Sequence, residues 1–252
     1  MSYDAFASTF SESRKNLRWN EIEYFMKYIK KYSSSEKISI LDIGCGNGRF
    51  LETLETSGFP YSYLGIDESS GMIDEARKLH SNQDFKVLDM NHLEWLLDSG
   101  ISQKRSNSSA NREPEWTVRS QYGEWGSGDL SSKNEFFRNS YQFIVLIASF
   151  HHLQTVQERK EVLLKAKKFL APGGVIMMTN WNLLGDELFK KYEKSYKWNG
   201  DFGIKIGTHE RYYHWFTLEE LGELFQESGY GVIENRVFEG GRNIISMLDN
   251  LN

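Results

Sequence analysis

Apolar and aromatic side chains recur at Trp19, Ile22, Phe25, Met26 and Ile29 with the spacing of one helix face, which predicts a helix over residues 18–31 with Trp19 in the core. Ser33-Ser34-Ser35 breaks that pattern, and Ile38 to Ile43 follows as a buried strand. The strand runs straight into Gly44-Cys45-Gly46-Asn47-Gly48, beyond which Arg49 to Glu55 has helical spacing. A second strand is expected over Tyr61 to Ile66, ending at Asp67, and a serine-capped helix over Ser70 to His80. A third strand over Phe85 to Leu88 ends at Asp89, and Asn91 to Leu97 reads as a short helix.

From Ser99 to Ser140 the periodicity dissolves into ten serines with Gly123, Gly126 and Gly128, the signature of a surface insertion or a partly disordered loop. Trp116 and Trp125 argue that part of it docks on the body. Order resumes with a buried strand over Phe143 to Ala148, then an amphipathic helix over Glu158 to Leu170, ended by Ala171-Pro172-Gly173-Gly174. Val175 to Asn180 is a fifth strand, and Leu183 to Trp198 a polar helix whose lysines 190, 191, 194 and 197 form a solvated face. Thr217 to Ser228 is a capped helix with Glu220 placed for a capping box, and Gly231 to Phe238 pairs with Asn243 to Leu248 across Gly240-Gly241. No internal repeat appears. Alternating strands and helices imply an α/β fold, with a mostly parallel sheet, helices on both faces and a ligand crevice beyond the carboxyl ends of the central strands. We expect one domain over 1–252, with 1–36 as an N-terminal helical cap and 99–140 as an insertion.

Composition narrows the classes. The 252 residues can bury a full core without staples, and a single cysteine cannot form an internal disulfide. The longest apolar run, Phe143 to Ala148, is far short of the roughly 20 residues of a membrane span, and Met1-Ser2-Tyr3-Asp4 lacks a signal-peptide pattern, so a cytosolic protein is expected. A net charge of −5 disfavours a general phosphate-coating clamp. No metal site is expected.

The glycine loop carries the first chemistry. Glycines let the chain turn sharply and approach a ligand that a Cβ would repel. Asp67, 19 residues after Gly48, ends the next strand where a carboxylate can accept both hydroxyls of a ribose. The spacing Gly-x-Gly-x-Gly differs from the Gly-x-Gly-x-x-Gly of nicotinamide binders and fits a nucleoside without phosphates. With Asp89 ending the third strand and Pro172-Gly173-Gly174 before the fifth, residues 38–180 resemble the class I S-adenosylmethionine-dependent methyltransferases. The resemblance implies a Rossmann-like, seven-stranded, mostly parallel sheet with a C-terminal antiparallel hairpin. It also implies S-adenosylmethionine, with Gly44, Cys45, Gly46, Asn47 and Gly48 near its amino-acid moiety, Asp67 on the ribose, and Asp89 and Met90 near the adenine. Tyr3, Arg14, Asp42, Glu68, Ser69, Met72, Ala148 and Ser149 complete the expected cofactor contacts, and Cys45 needs no redox role.

The opening Tyr3-Asp4-Ala5-Phe6-Ala7-Ser8-Thr9-Phe10-Ser11-Glu12-Ser13-Arg14, followed by Trp19, is more particular. It resembles the tRNA wobble-uridine carboxymethyl methyltransferases, as do Ile147-Ala148-Ser149-Phe150-His151-His152, Thr179-Asn180-Trp181, Arg211-Tyr212-Tyr213-His214 and Gly241-Arg242-Asn243. This resemblance implies tRNA as partner, a methyl ester as product, and a small zinc-binding activator protein as in eukaryotic relatives. A carboxylate acceptor is already ionised at neutral pH and needs orientation rather than a general base. Arg14, His151, His152, Tyr212, His214 and Arg242 are the candidate catalytic residues for that demand. A phenol or amine would want a base, which His151 or His152 could supply. Two alternatives therefore stay open: a small-molecule O- or N-methyltransferase with 99–140 as a lid, and a cofactor-binding subunit that holds a partner.

Overall fold

The structure is a computed structural model that describes residues 19–32, 37–98, 140–206 and 209–251. Tyr3, Arg14 and the serine-rich stretch 99–139 lie outside the described residues.

Seven strands form one sheet in the order β3-β2-β1-β4-β5-β9-β8. β1 (Ile38–Ile43) pairs in parallel with β2 (Tyr61–Asp67) on one side and β4 (Tyr141–Ile147) on the other. β3 (Asp84–Val87) and β5 (Leu170–Trp181) extend the parallel part outward. β9 (Asn243–Asn250) is antiparallel to both β5 and the edge strand β8 (Tyr230–Val237). The chain leaves β1 to build one half of the sheet and returns at β4 to build the other. The splayed loops after β1 and β4 therefore open a crevice at this switch point.

Apolar residues alternate across the sheet and bury both faces. Leu41, Ile43, Leu64, Ile144, Leu146, Ile176 and Met178 face α4 (Trp95–Asp98), α5 (Val156–Lys167) and α7 (Leu218–Glu227). Ile38, Ile40, Phe143, Val145, Val175 and Met177 face α1 (Asn20–Tyr32), α2 (Arg49–Glu55) and α3 (Ser70–Leu79). In α1 the predicted stripe is the buried face: Ile22, Phe25, Met26 and Ile29 are all in the core. Trp19, one turn earlier, packs half-buried against the same core and also lines the crevice under the Arg49 guanidinium, 5.6 Å from its ring centre.

Three segments differ from the sequence-based expectation. The polar helix expected over 183–198 is only α6 (Asp186–Tyr192) and one 3-10 turn over Glu193–Ser195. The chain then reverses at Asn199 and Gly200, both at positive φ, and forms an antiparallel hairpin of β6 (Asp201–Ile206) and β7 (His209–His214) outside the main sheet. Phe202, Ile204 and Tyr213 from this hairpin pack with Leu183 and Leu188 into a third, smaller core. Asn91 to Leu97 is also divided, into a 3-10 turn over Met90–His92 and the single turn α4. No helix among the described residues is long and apolar enough to cross a membrane.

Candidate active site

The crevice holds a cavity of about 540 Å³ bounded by the loops after β1, β2, β3, β4 and β5 and by β7. Its first wall is the glycine loop. Gly44, Gly46 and Gly48 have φ of 74°, 55° and 86°. A Cβ at Gly44 would come within 2.4 Å of the Ser149 Cβ, and one at Gly48 within 2.7 Å of the His80 ring. Glycine is required here for its conformation and for the close approach of β1 to the loop after β4. The Ser149 hydroxyl donates to the Ile43 carbonyl at 2.8 Å, locking that approach.

Asp67 organises the loop from the end of β2. Its Oδ2 accepts from the Gly46 amide and its Oδ1 from the Ser69 amide, both at 2.9 Å. The two amides fix the orientation of the carboxylate at the edge of the cavity. Ser69 in turn caps α3 by accepting from the Met72 amide. At the end of β3, Asp89 Oδ1 accepts from the Asn91 amide at 2.8 Å, and Asp89 and Met90 both line the cavity. Asn47, Glu68, Met72, Cys45 and Ala148 line it too, and burial pushes the Cys45 thiol up, away from thiolate chemistry.

Asp42 lies beneath the loop, almost fully buried. Tyr63 donates to its Oδ2 at 2.8 Å, but Oδ1 is buried without a hydrogen-bond partner. Desolvation, only partly offset by the Tyr63 bond, raises its carboxyl to about 7. An orphaned, half-ionised carboxylate at the edge of a cavity is a docking point for a cation.

The opposite wall comes from the loop after β4, the end of β5 and β7. Ala148 is held at φ 52°, with its amide bonded to the Thr179 carbonyl and hydroxyl at 3.1 and 2.9 Å. The chain then enters a 3-10 turn, Phe150–His152. The two adjacent histidines have different hydrogen-bond roles. His152 Nδ1 lies 2.9 Å from the Tyr212 carbonyl, so it must carry the proton, leaving Nε2 as an acceptor. His151 Nδ1 faces the Trp181 amide at 3.3 Å and must accept, which puts its proton on Nε2, a buried atom without a partner. Burial lowers His152 to about 4 and takes His151 well below its usual value, so both are neutral at pH 7. Trp181 stacks on Tyr213 at 4.8 Å, and Tyr213 meets both histidine rings. Arg211 also lines the cavity; burial lowers its guanidinium to about 10, so it stays cationic at neutral pH.

His214 and Arg242 are not brought to the cavity. The His214 ring is buried between Asp201 and Glu220, and the exposed Arg242 gives its carbonyl to the Asn182 amide. Tyr212 lines the cavity, although its hydroxyl is engaged by Asp201 at 2.6 Å. Sequence reasoning missed Arg49 and Arg159. Arg159 was detectable as a cation on the core-facing stripe of α5, in step with Val162, Leu163 and Ala166.

A family model for the methyltransferase domain matches residues 16–235. The chain belongs to that family. Over 240 residues it is 23% identical to protein ECU09_1500 of Encephalitozoon cuniculi, covering 92% of this chain and 87% of that one. A stretch of 82 residues is 33% identical to protein 235L of invertebrate iridescent virus 6, but spans only 29% of this chain and 31% of that protein. The names of both proteins assign them provisionally to the methyltransferases.

Among solved structures, an S-adenosylmethionine-dependent methyltransferase from Methanosarcina mazei has a TM-score of 0.59 at 21% identity over 89% of this chain and 98% of its own. A methyltransferase from Haloferax volcanii, solved in complex with the Trm112 activator, has 0.64 at 13% identity over 99% and 98%. The S-adenosylmethionine-bound amino pentose methyltransferase CalS10 of Micromonospora echinaspora has 0.57 at 16% over 98% of each. The protein is thus a methyltransferase with the class I fold. Its cavity fits S-adenosylmethionine, the cofactor of that fold. The orphaned Asp42 oxygen suits an ammonium, the glycine loop a close-lying chain, and the amide-held Asp67 a ribose diol.

Proposed function

We propose that the protein transfers a methyl group from S-adenosylmethionine to a carboxylate, that of a carboxymethyl group on a modified wobble uridine of tRNA. The observation that carries this reading is Arg211, a half-buried cation in the wall of the same cavity as the glycine loop. A guanidinium on a cavity wall can hold a planar carboxylate in two parallel hydrogen bonds, which suits an ionised acceptor group. Trp181 and Tyr213, stacked on each other, make the same wall aromatic, a surface against which a base taken out of its stack can pack.

Bound S-adenosylmethionine supplies a methyl carbon on a sulfonium, open to in-line displacement. A carboxylate oxygen held by Arg211 in line with that methyl would take it as the sulfonium leaves with the bonding pair as a neutral thioether. No proton moves, so the protein needs no general base. Arg211 orients the carboxylate, His151 Nε2–H is a donor to it, His152 Nε2 accepts from an N–H elsewhere on the substrate such as that of the uracil ring, and the surrounding aromatic rings exclude water. Arg14 belongs to this reading as a further acceptor ligand, as does a small zinc-binding activator protein; the Haloferax volcanii methyltransferase was solved with an activator of its own, Trm112. Because the substrate is tRNA, the reading includes a cytoplasmic location.

The test incubates the chain with methyl-labelled S-adenosylmethionine and bulk tRNA carrying the carboxymethyl precursor, with and without such an activator, then applies mild alkali. Label that enters tRNA and leaves as methanol supports the ester. Label that survives alkali moves the acceptor to nitrogen, carbon or an ether oxygen. No label in tRNA under either condition overturns the tRNA reading. Glu68, Glu158 and Glu210 on the cavity wall favour a second reading, a small-molecule acceptor. Labelling of small carboxylic acids in place of RNA would establish it.

A further inference from the structure

Five side chains behind the histidines close into a ring. Arg159 Nη2 donates to the Tyr212 hydroxyl at 3.2 Å, and that hydroxyl donates to Asp201 Oδ1 at 2.6 Å. Asp201 Oδ1 meets His214 Nδ1 at 2.7 Å, and His214 Nε2 meets Glu220 Oε1 at 2.9 Å. Arg159 Nη1 returns to the same Glu220 oxygen at 3.5 Å. The ring joins α5, α7 and both strands of the β6–β7 hairpin, elements that share no strand pairing with one another except within the hairpin.

The ring also grips the segments on either side of His152. Arg159 Nε and Nη2 both donate to the carbonyl of Leu153, the next residue, at 3.2 and 3.1 Å. Tyr212, whose hydroxyl is a ring member, offers its own backbone carbonyl to His152 Nδ1. Histidine tautomer and ring orientation follow from what the buried nitrogen bonds to. We propose that His214, Arg159, Asp201 and Glu220 are positioning residues that hold the Tyr212 carbonyl against His152, fixing its proton on Nδ1 and leaving Nε2 as a hydrogen-bond acceptor for an N–H or O–H of the bound substrate, away from the reacting atom. None of the four touches the cofactor's wall of the cavity. The proposal rests on the methyltransferase fold and holds for any acceptor, tRNA or small molecule.

The experiment records nitrogen spectra of the full-length chain labelled with [15N]histidine at pH 7.5, with and without S-adenosylmethionine. Six histidines are present, and the signals lost in His152→Gln assign that residue. In the parent protein His152 shows a protonated Nδ1 and a bare Nε2. His214→Phe keeps a ring against Phe216, which His214 meets edge-on at 4.7 Å, but removes both nitrogens. In this variant the His152 signals move towards the average of two tautomers, while S-adenosylmethionine affinity by calorimetry stays within about twofold. Should His214→Phe fail to fold, Tyr212→Phe, which opens the ring and keeps the backbone carbonyl, carries the same expectation. A proton on Nε2 in the parent protein overturns the proposal. So does an unchanged His152 tautomer in the folded variant, or a parallel collapse of cofactor affinity. None of these readouts needs a methyl acceptor, so failure here is distinct from failure of the tRNA assignment.

Discussion

Asp42 and Gly44 are two residues apart and fail in opposite ways when changed. The Asp42 carboxyl is raised in the folded state from 3.8 to about 7. As pH rises through this window the unfolded chain releases its proton first, so this residue destabilises the fold progressively, by on the order of 4 kcal/mol at most once above pH 7. Asp42→Asn should remove that slope. Chemical denaturation of the cofactor-free protein between pH 5 and 8 will show a flatter dependence than the parent. Asp42 is the carboxylate we propose to face the cofactor's ammonium, and on that reading the same change lowers cofactor affinity at pH 7.5 about tenfold or more by calorimetry. Gly44→Ala meets both a left-handed φ and a 2.4 Å clash with the Ser149 Cβ. We expect a loss of about 2–4 kcal/mol together with cofactor binding. A variant that melts like the parent and binds cofactor would contradict that account of the loop.

At the scale of elements, the β6–β7 hairpin is the piece whose integrity can be varied without touching the cofactor wall. A Cβ at Gly200 would come 2.9 Å from the Trp215 carbonyl, at φ 84°. Gly200→Ala is therefore expected to cost about 2 kcal/mol, roughly 4–8 °C in melting temperature, and to lower methyl transfer while cofactor affinity stays put. Equal losses of transfer and cofactor binding would mean that the two walls are not separable. The hairpin is also where the sequence was hardest to read. Asn199-Gly200 is a strong turn signal, but the lysines and glutamates before it have helical spacing, and His209-Glu210-Arg211-Tyr212-Tyr213-His214 lacks the apolar alternation of a strand. Its strands bury against a small satellite core, so alternation was never imposed on them. Strands β1, β2 and β4 were legible because burial on both faces demands continuous apolar runs, and the donor wall followed because glycine spacing and strand-end acids are local. The acceptor wall is assembled from residues far apart in the chain. Thr217 caps α7 as expected, yet Glu220 turns away from the capping box to His214 and Arg159.

For the molecule as a whole, the charge balance of −5 has a measurable consequence under the tRNA reading. Contacts to the RNA backbone must be few and local, and for about three phosphates on single-stranded RNA the affinity should fall about tenfold to twentyfold between 50 and 200 mM salt. Filter binding across that range tests it. A much steeper loss would mean a broad basic surface that the net charge argues against, and no loss would separate binding from the phosphates altogether.

The division of the cavity between two walls bears on how such an enzyme changes occupation. The glycine loop, Asp67 and Asp89 come from the first three strands, the side we propose for the methyl donor, while β6 and β7 form a separate two-stranded sheet, an appendage outside the main one. A lineage could exchange or remodel that appendage and acquire a new client without relearning how to hold its donor. Inheritance of the donor side and turnover of the client side would then proceed at separate rates within one gene. Grafting the appendage together with the loop after β4 and the end of β5 between two members of the family would transfer the client and leave the donor requirement unaltered.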